Sequence, residues 1–313
     1  MVAFRFAARL IALIAALALP LFNQAVRAAE SPDDAHVLVL GRISDDPRAH
    51  YEQLKPLLDY VVPRMADVGI REGRILMARD VQQMNSYLRR GRVDWVTETP
   101  GTGMLLEQGS GAKPILITER DGVSKYTSVF FARRDSGIKS LKDLRGRSVA
   151  FQNPYSTSAY YVPAAEMLDR DLPLQILLSP MDRPDPSGVG YLFARTELNI
   201  STWVHKRLVD VGVMSNLDWQ NPQRVPVGFR SDLMIVHETP PYPRAIEMVR
   251  GDLDAKIEAR LREVLIEASQ DPDAREALLR FFKTTRFLPL DKDAQHALRY
   301  IGSGVQRIRA EVE

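Results

Sequence analysis

The sequence predicts an α/β protein of two similar lobes, each a mixed sheet flanked by helices, joined by two crossing strands. Short apolar runs alternate with amphipathic segments along most of the chain, as is typical of α/β proteins. A basic helix end followed by Val-Asp and a buried strand occurs twice, at residues 92–96 and 208–212, although chance could also produce this short match. Two longer apolar stretches, residues 126–132 and 232–237, are placed where strands would cross between the lobes.

The predicted elements follow in order from the spacing of apolar residues. Residues 36–43 form a buried first strand, and an amphipathic helix at residues 51–62 follows, with Pro56 as an interruption. From Asp254 onward the apolar residues recur almost wholly at helical spacing, and this segment is predicted to pack on the first lobe. The other predicted strands are residues 74–78, 93–97, 115–118, 147–151, 174–178 and 209–214, and the other helices are residues 81–90, one after Ser158 and one ending near Arg207.

The first 28 residues have the pattern of a cleavable secretory signal peptide. Arg5 and Arg9 form a charged start, residues 10–22 are an apolar run, and residues 26–28 offer a small-residue cleavage site. The run is shorter than the about 20 residues that cross a bilayer, and an uncleaved membrane anchor is the alternative. We therefore predict a mature chain of 285 residues that is exported to the periplasm.

The composition excludes several kinds of chemistry. Because the chain has no cysteine, it has no disulfide framework, thiolate catalysis, Cys-ligated metal or lipid-modified Cys. Without the three arginines of the predicted signal, the chain carries 39 basic and 40 acidic residues, a formal net charge of −1. That balance argues against a nucleic-acid partner.

Three hydroxyl residues, Ser156, Thr157 and Ser158, stand where a predicted strand should pass into a helix. The first N–H groups of a helix lack intrahelical partners and carry partial positive charge, and hydroxyls add further donors. The segment therefore predicts a site for phosphoryl or carboxylate oxygens. The alternative is that these residues cap the helix and bind nothing, since Ser and Thr are ordinary N-cap residues.

Taken in order, these segments resemble the periplasmic binding proteins of phosphonate, phosphite and phosphate ABC transporters. The resemblance implies a type II periplasmic binding protein, monomeric, that closes on an oxyanion and delivers it to an ABC permease. It also implies a first lobe of residues 29–128 and 239–313 and a second lobe of residues 129–238. The matching segments are Tyr126-Thr127-Ser128-Val129, residues 135–138 and 141–146, Ser156-Thr157-Ser158-Ala159 with Pro163, and the two Val-Asp junctions.

The resemblance also implies roles for individual residues. Ser156, Thr157 and Ser158 would hold phosphoryl oxygens, and Tyr126 would donate its hydroxyl from a crossing strand, with ordinary core packing as the alternative for Tyr126. Ser44 is a further candidate because loops at the carboxyl ends of parallel strands line the clefts of α/β proteins. Backbone N–H groups of the loop that contains Thr99 could face the cleft from the first lobe, and a plain turn before a helix is the alternative.

Three positions depart from the family pattern. Ala159 replaces a glycine, Val81 follows Asp80 where a family member has a tyrosine, and Thr196-Glu197 stands where a Gly-His pair is frequent. A carboxylate at Glu197 would repel a phosphonate dianion. Glu197 would then accept a hydrogen bond from an amine or hydroxyl of the ligand, or it would lie on a solvated helix face.

Two other classes of protein are alternatives to a solute-binding protein. For an enzyme, the histidines show no paired metal-ligand spacing, and there is no Gly-x-Ser-x-Gly elbow and no cofactor motif. Nucleophilic catalysis by Ser156 would need a base from elsewhere in the chain. A periplasmic sensor subunit that reports ligand to a membrane signalling protein would have the same sequence features. The histidines without paired spacing are His36, His50, His205, His237 and His296. The sequence therefore predicts a non-enzymatic binding protein without a cofactor.

Overall fold

The structure, a computed structural model, describes residues 37–312, so the predicted signal peptide lies outside the described residues. In chain order the elements are β1 Val37–Ile43, α1 Pro47–Val61, a 3-10 helix at Val62–Val68, β2 Glu72–Ala78, α2 Val81–Arg89, β3 Trp95–Glu98, α3 Pro100–Ser110, β4 Lys113–Arg120, β5 Lys125–Tyr126, β6 Ser128–Arg133, a 3-10 helix at Leu141–Leu144, β7 Ser148–Phe151, a π-helical turn at Thr157–Tyr161, α4 Val162–Leu168, β8 Leu174–Ile176, β9 Val189–Phe193, α5 Glu197–His205, β10 Val211–Ser215, α6 Asn216–Gln220, α7 Val227–Arg230, β11 Leu233–Glu238, β12 Tyr242–Pro243, β13 Ile246–Val249, α8 Ala255–Glu267, a 3-10 helix at Pro272–Ala274, α9 Arg275–Arg280, β14 Thr284–Pro289 and α10 Lys292–Glu311.

Two six-stranded mixed sheets organise these elements. The first sheet has the strand order β14-β4-β13-β3-β1-β2, and the second has the order β11-β6-β10-β7-β9-β8. In the first sheet β1 runs parallel to β2 and β3, while β13 lies antiparallel between β3 and β4. The carboxyl ends of β1, β3 and β4 therefore lie at the same edge of the first sheet as the start of β13.

Helices cover both faces of the first sheet. Leu38 and Leu40 pack in one buried cluster with α1, α8 and α9, while Val39 between them packs against the cluster that contains α2, α3 and α10 residues. This alternation follows from the two-residue period of a strand. Helix α1 continues through Pro56, so the expected interruption does not break it. Within residues 37–312, no helix is both long and apolar enough to cross a membrane.

The connections between the sheets are shorter than the predicted crossing strands. The stretch at residues 126–132 is divided between β5 and β6, and β6 belongs to the second sheet, where it pairs with both β10 and β11. The two chain segments that connect the sheets form a two-stranded ribbon, with Tyr126 opposite Tyr242. In the sequence, β5 lies between β4 and β6, and β12 lies between β11 and β13. The first sheet is thus built from two segments of the chain and the second from the residues between them. The exact lobe boundaries at residues 128 and 239 remain a prediction.

The two Val-Asp junctions have the same structural role in the two sheets. The carboxylate of Asp94 accepts a hydrogen bond from the backbone N–H of Val39, at 2.8 Å. The carboxylate of Asp210 accepts one from the backbone N–H of Ser148, at 2.9 Å. In each sheet the aspartate therefore ties the start of its own strand to the neighbouring strand.

The prediction that the chain is almost wholly helical after Asp254 is wrong in one place. β14 at Thr284–Pro289 forms the edge of the first sheet beside β4. Only Thr284 and Phe287 of this strand are buried, so it lacks the alternation that would have indicated a strand. Helix α10 contacts both α3 and α4, so it packs on elements of both predicted lobes and not on the first alone.

Candidate functional site

The predicted hydroxyl cluster lies at the helical turn that follows β7 of the second sheet, where this turn contacts the start of α3. Thr157 begins the π-helical turn that runs into α4, and its side chain is buried. Its Oγ1 accepts a hydrogen bond from the backbone N–H of Gly101, at 2.8 Å. Since Gly101 is in the first turn of α3, this bond joins the carboxyl edges of the two sheets directly. The loop after β3 is therefore the start of a helix whose N–H group reaches the hydroxyl cluster.

Ser156 and Ser158 have different partners within this cluster. The Oγ of Ser156 accepts a hydrogen bond from the N–H of Ala159 at 3.2 Å, so Ser156 caps the turn, and its part in ligand binding stays a prediction. The Oγ of Ser128 lies 2.7 Å from the hydroxyl of Tyr242, whose ring packs on that of Tyr126. The carbonyl of Ser158 accepts a hydrogen bond from the Oγ of Ser128, at 2.7 Å. The structure thus brings together all three hydroxyl residues and Tyr126.

Tyr126 is held firmly as a neutral donor. Its ring packs on Tyr242, with 4.9 Å between the ring centroids. Burial raises the pKa of Tyr126 to about 12, against the opposing effect of the Ser158 hydroxyl and of the positive charges of Arg244 and Arg120. The phenol is therefore protonated at neutral pH and can donate a hydrogen bond.

Ser44 and Thr99 lie at the same edge of the first sheet but do not join the hydroxyl cluster through any hydrogen bond of the described residues. The hydroxyl of Ser44 lies 2.6 Å from Nδ1 of His50. Thr99 is the N-cap residue of α3, and its side chain makes no capping hydrogen bond. Both residues are thus in the loops where they were predicted, and their part in ligand binding stays a prediction.

Glu197 does not lie on a solvated helix face, so that alternative is wrong. Its side chain is 13% exposed, and Oε2 lies 3.4 Å from Nη1 of Arg224. Oε1 accepts a hydrogen bond from the amide of Gln152, the residue that follows β7. Burial, together with the charge of Asp218, raises the pKa of Glu197 above its ordinary value. The carboxylate is therefore paired with this chain's own groups at the carboxyl edge of the second sheet.

Three arginines at the edge of the first sheet are the residues that sequence reasoning missed. Arg42 is in β1, Arg120 ends β4, and Arg244 directly follows β12, in the short connection to β13. The Nη1 of Arg42 donates to the carbonyl of Thr97 at 2.7 Å, and the Nη1 of Arg244 donates to the carbonyl of Arg120 at 2.6 Å. The rule that strand ends line the cleft, applied to β4 as it was to β1, would have drawn attention to Arg120.

This arrangement, two α/β sheets with a hydroxyl-bearing helix start between them, defines a type II periplasmic binding protein. Residues 41–295 match the family described as ABC transporter, phosphonate, periplasmic substrate-binding protein, and the chain belongs to this family. Membership implies a periplasmic, non-enzymatic protein that takes a small-molecule ligand and has an ABC permease as its partner.

Solved structures agree with this assignment. XAC2383 from Xanthomonas citri bound to chloride ion is 55% identical, covers 88% of this chain and 100% of its own, and has a TM-score of 0.82. The same protein bound to ATP is 54% identical over 89% of this chain and 100% of its own, also with a TM-score of 0.82. PhnD1 from Prochlorococcus marinus in complex with methylphosphonate is 17% identical over 88% of this chain and 100% of its own, and its TM-score of 0.60 shows a shared fold.

Proposed function

We propose that this protein captures a small phosphorus oxyanion, as a phosphonate, phosphite, phosphate or phosphate ester, between its two sheets and delivers it to an ABC permease. The observation that carries the proposal is the hydrogen bond from the Gly101 N–H to Thr157 Oγ1, at 2.8 Å, which places the hydroxyl-bearing helix start of the second sheet against the first turn of α3. Oxyanions of phosphorus accept several charge-assisted hydrogen bonds at once, and this set of donors suits them.

The relative from Xanthomonas citri supports a phosphate-bearing ligand. It is more than half identical over most of this chain, and one of its structures holds ATP. A phosphate ester is therefore included in the proposal beside the small oxyanions. The protein would work as a monomer, by hinge closure that brings α3 and the hydroxyl cluster together around the ligand.

Thr157→Ala and Ser158→Ala should each weaken binding of the preferred oxyanion without unfolding the protein. Each substitution removes a hydroxyl that would make a charge-assisted hydrogen bond, which is worth about 1.5 to 3 kcal/mol, or ten- to a hundredfold in affinity. Calorimetric titration with phosphate, phosphite, methylphosphonate and ATP measures the effect. Thr202→Ala is the matched control, because that hydroxyl bonds to the Leu198 carbonyl of its own helix. Unchanged affinity in both site variants would refute the site.

Gly101→Ala is expected to weaken ligand binding through the contact between the sheets. A Cβ at this position would lie 2.5 Å from Cδ2 of Tyr161 and 2.9 Å from Oγ1 of Thr157, so α3 could not approach as closely. Overpacking of this kind disfavours the close arrangement by about 1 to 3 kcal/mol, or about five- to a hundredfold in affinity.

The control for this substitution is Gly228→Ala, because a Cβ there meets nothing within 4 Å. Titration of both variants with the best ligand, together with their thermal unfolding, separates a binding effect from a folding effect. Equal affinities of the two variants would show that closure does not require this contact.

A further inference from the structure

The three arginines at the edge of the first sheet converge on one aromatic ring and one backbone segment. The guanidinium of Arg42 lies 5.1 Å from the centroid of the Phe282 ring, and that of Arg120 lies 4.6 Å from it. The guanidinium of Arg244 donates a hydrogen bond to the backbone carbonyl of Arg120. Two cations thus lie beside one ring, and the third is bonded to the backbone of one of them.

The guanidinium groups of this cluster retain buried donors without partners. Nε of Arg42, Nε of Arg120 and Nη2 of Arg120 are buried and have no hydrogen-bond partner among the described residues. Buried polar groups are nearly always satisfied, and a charged group left without a partner is especially unfavourable. These three unpaired nitrogens therefore point to an anion that this chain does not itself supply.

The acidic groups nearby do not balance the cluster. Glu98 lies 3.3 Å from Nη1 of Arg42, and it also accepts a hydrogen bond from the backbone of Ile43. Glu247 is within electrostatic range of Arg120, but its carboxylate is used by the side chains of Trp95, Thr97 and Thr118.

The remaining groups at this edge leave an excess of positive charge. Burial, together with the charge of Arg42, lowers the pKa of His50, which is therefore neutral at pH 7. Burial and the charges of Arg42 and Arg244 lower the pKa of Arg120 to about 10, against the opposing effect of Glu247 and Glu98. The attraction of a bound anion to the three guanidinium groups would offset the repulsion among them.

The arginine cluster adjoins the hydroxyl cluster. Arg244 directly follows β12, in which Tyr242 pairs with Tyr126 and lies 2.7 Å from the Ser128 hydroxyl that donates to the Ser158 carbonyl. One ligand could therefore contact both clusters. A guanidinium donates two parallel hydrogen bonds to a phosphate group, which a lysine or a hydroxyl cannot do.

We propose that Arg42, Arg120 and Arg244 form a second anion subsite, which holds the further phosphate groups of a ligand with a phosphate chain, such as an oligophosphate or a nucleoside triphosphate. This inference rests on the proposed function, since the first phosphoryl group is taken to lie at the hydroxyl cluster. The site then selects ligands by the number of their phosphates, and not only by the presence of one.

The test is calorimetric titration of the full mature protein with methylphosphonate, phosphate, pyrophosphate, tripolyphosphate and ATP. Affinity of the wild type should rise from phosphate to tripolyphosphate. Arg120→Met, which keeps an apolar chain on Phe282, should weaken tripolyphosphate and ATP about ten- to a hundredfold and change methylphosphonate by no more than about twofold. Arg120→Lys keeps the positive charge but cannot donate two parallel hydrogen bonds, so we expect an intermediate loss of affinity for tripolyphosphate and ATP.

Arg48→Met is the matched control, because the Arg48 side chain is 93% exposed, and it should bind every ligand as the wild type does. Equal binding of phosphate and tripolyphosphate by the wild type would overturn the second subsite. So would an equal loss of methylphosphonate and tripolyphosphate in folded Arg120→Met or Arg120→Lys. If instead the wild type binds none of the five ligands, the proposed function fails and the subsite with it.

Discussion

Replacing Asp94 with alanine should lower the free energy of unfolding by about 3 to 5 kcal/mol, because the substitution breaks a largely buried ion pair. The Asp94 carboxylate accepts the N–H of Val39 and lies 2.9 Å from Nε of Arg250, whose side chain is only 15% exposed. The variant leaves that guanidinium without this carboxylate in a poorly solvated place. Urea unfolding followed by tryptophan fluorescence measures the loss.

Asp210→Ala is the matched control, because Asp210 has the same position in the second sheet. Its guanidinium partner, Arg147, is 46% exposed and can be solvated when the carboxylate is removed. We expect a loss of about 1 to 2 kcal/mol, mainly from the hydrogen bonds to Ser148. If the two variants lose the same stability, burial of the ion pair is not what distinguishes the two junctions.

Stability should fall as the pH rises from about 4.5 to 8 because of Glu247. This residue is fully buried in β13, and burial raises its pKa from 4.5 to about 7, against the opposing hydrogen bonds from Thr118, Trp95 and Thr97. A raised pKa means that the folded state binds the proton more tightly than the unfolded state. The contribution is therefore complete below pH 4.5 and is lost as the pH rises through 7. Its size is about 3 kcal/mol.

Glu247→Gln should remove this dependence, since a glutamine amide can occupy the same hydrogen-bonding positions without titrating. The measurement is the free energy of unfolding of both proteins at several pH values between 4.5 and 8. Glu119→Gln is the control with the opposite sign, because Arg286 lowers the pKa of Glu119, whose contribution is lost as the pH falls. A constant difference between wild type and Glu247→Gln over this range would contradict the prediction.

The periodicity of apolar residues was sufficient to predict most of the fold. Buried strands such as β1 and β10 and the helices α1 and α2 have patterns that follow from their local burial, so one segment of sequence is enough to recognise each. The edge strand β14 was missed because few of its residues are buried. Type II architecture was predicted from the resemblance, and the fold of the related structures confirms it.

The candidate site was only partly accessible to the same reasoning. The hydroxyl cluster is contiguous in the chain, so it could be recognised from one segment. The arginine cluster is not, since Arg42, Arg120 and Arg244 come from three distant segments of the chain that reach the same edge only in the folded first sheet. The environment of Glu197 was likewise hidden, because its partner Gln152 lies on the neighbouring strand connection and Arg224 in a later loop.

The insertion of β13 into the first sheet also determines the order in which the newly made chain can be completed. The second sheet comes from the uninterrupted residues 128–238 and can assemble as soon as they are available. β3 and β4 must wait for residues 246–249, which arrive after the whole second sheet has been synthesised. During that interval both strands present unpaired edges, which are templates for association with other chains. We therefore expect association between incomplete chains to begin at β3 and β4.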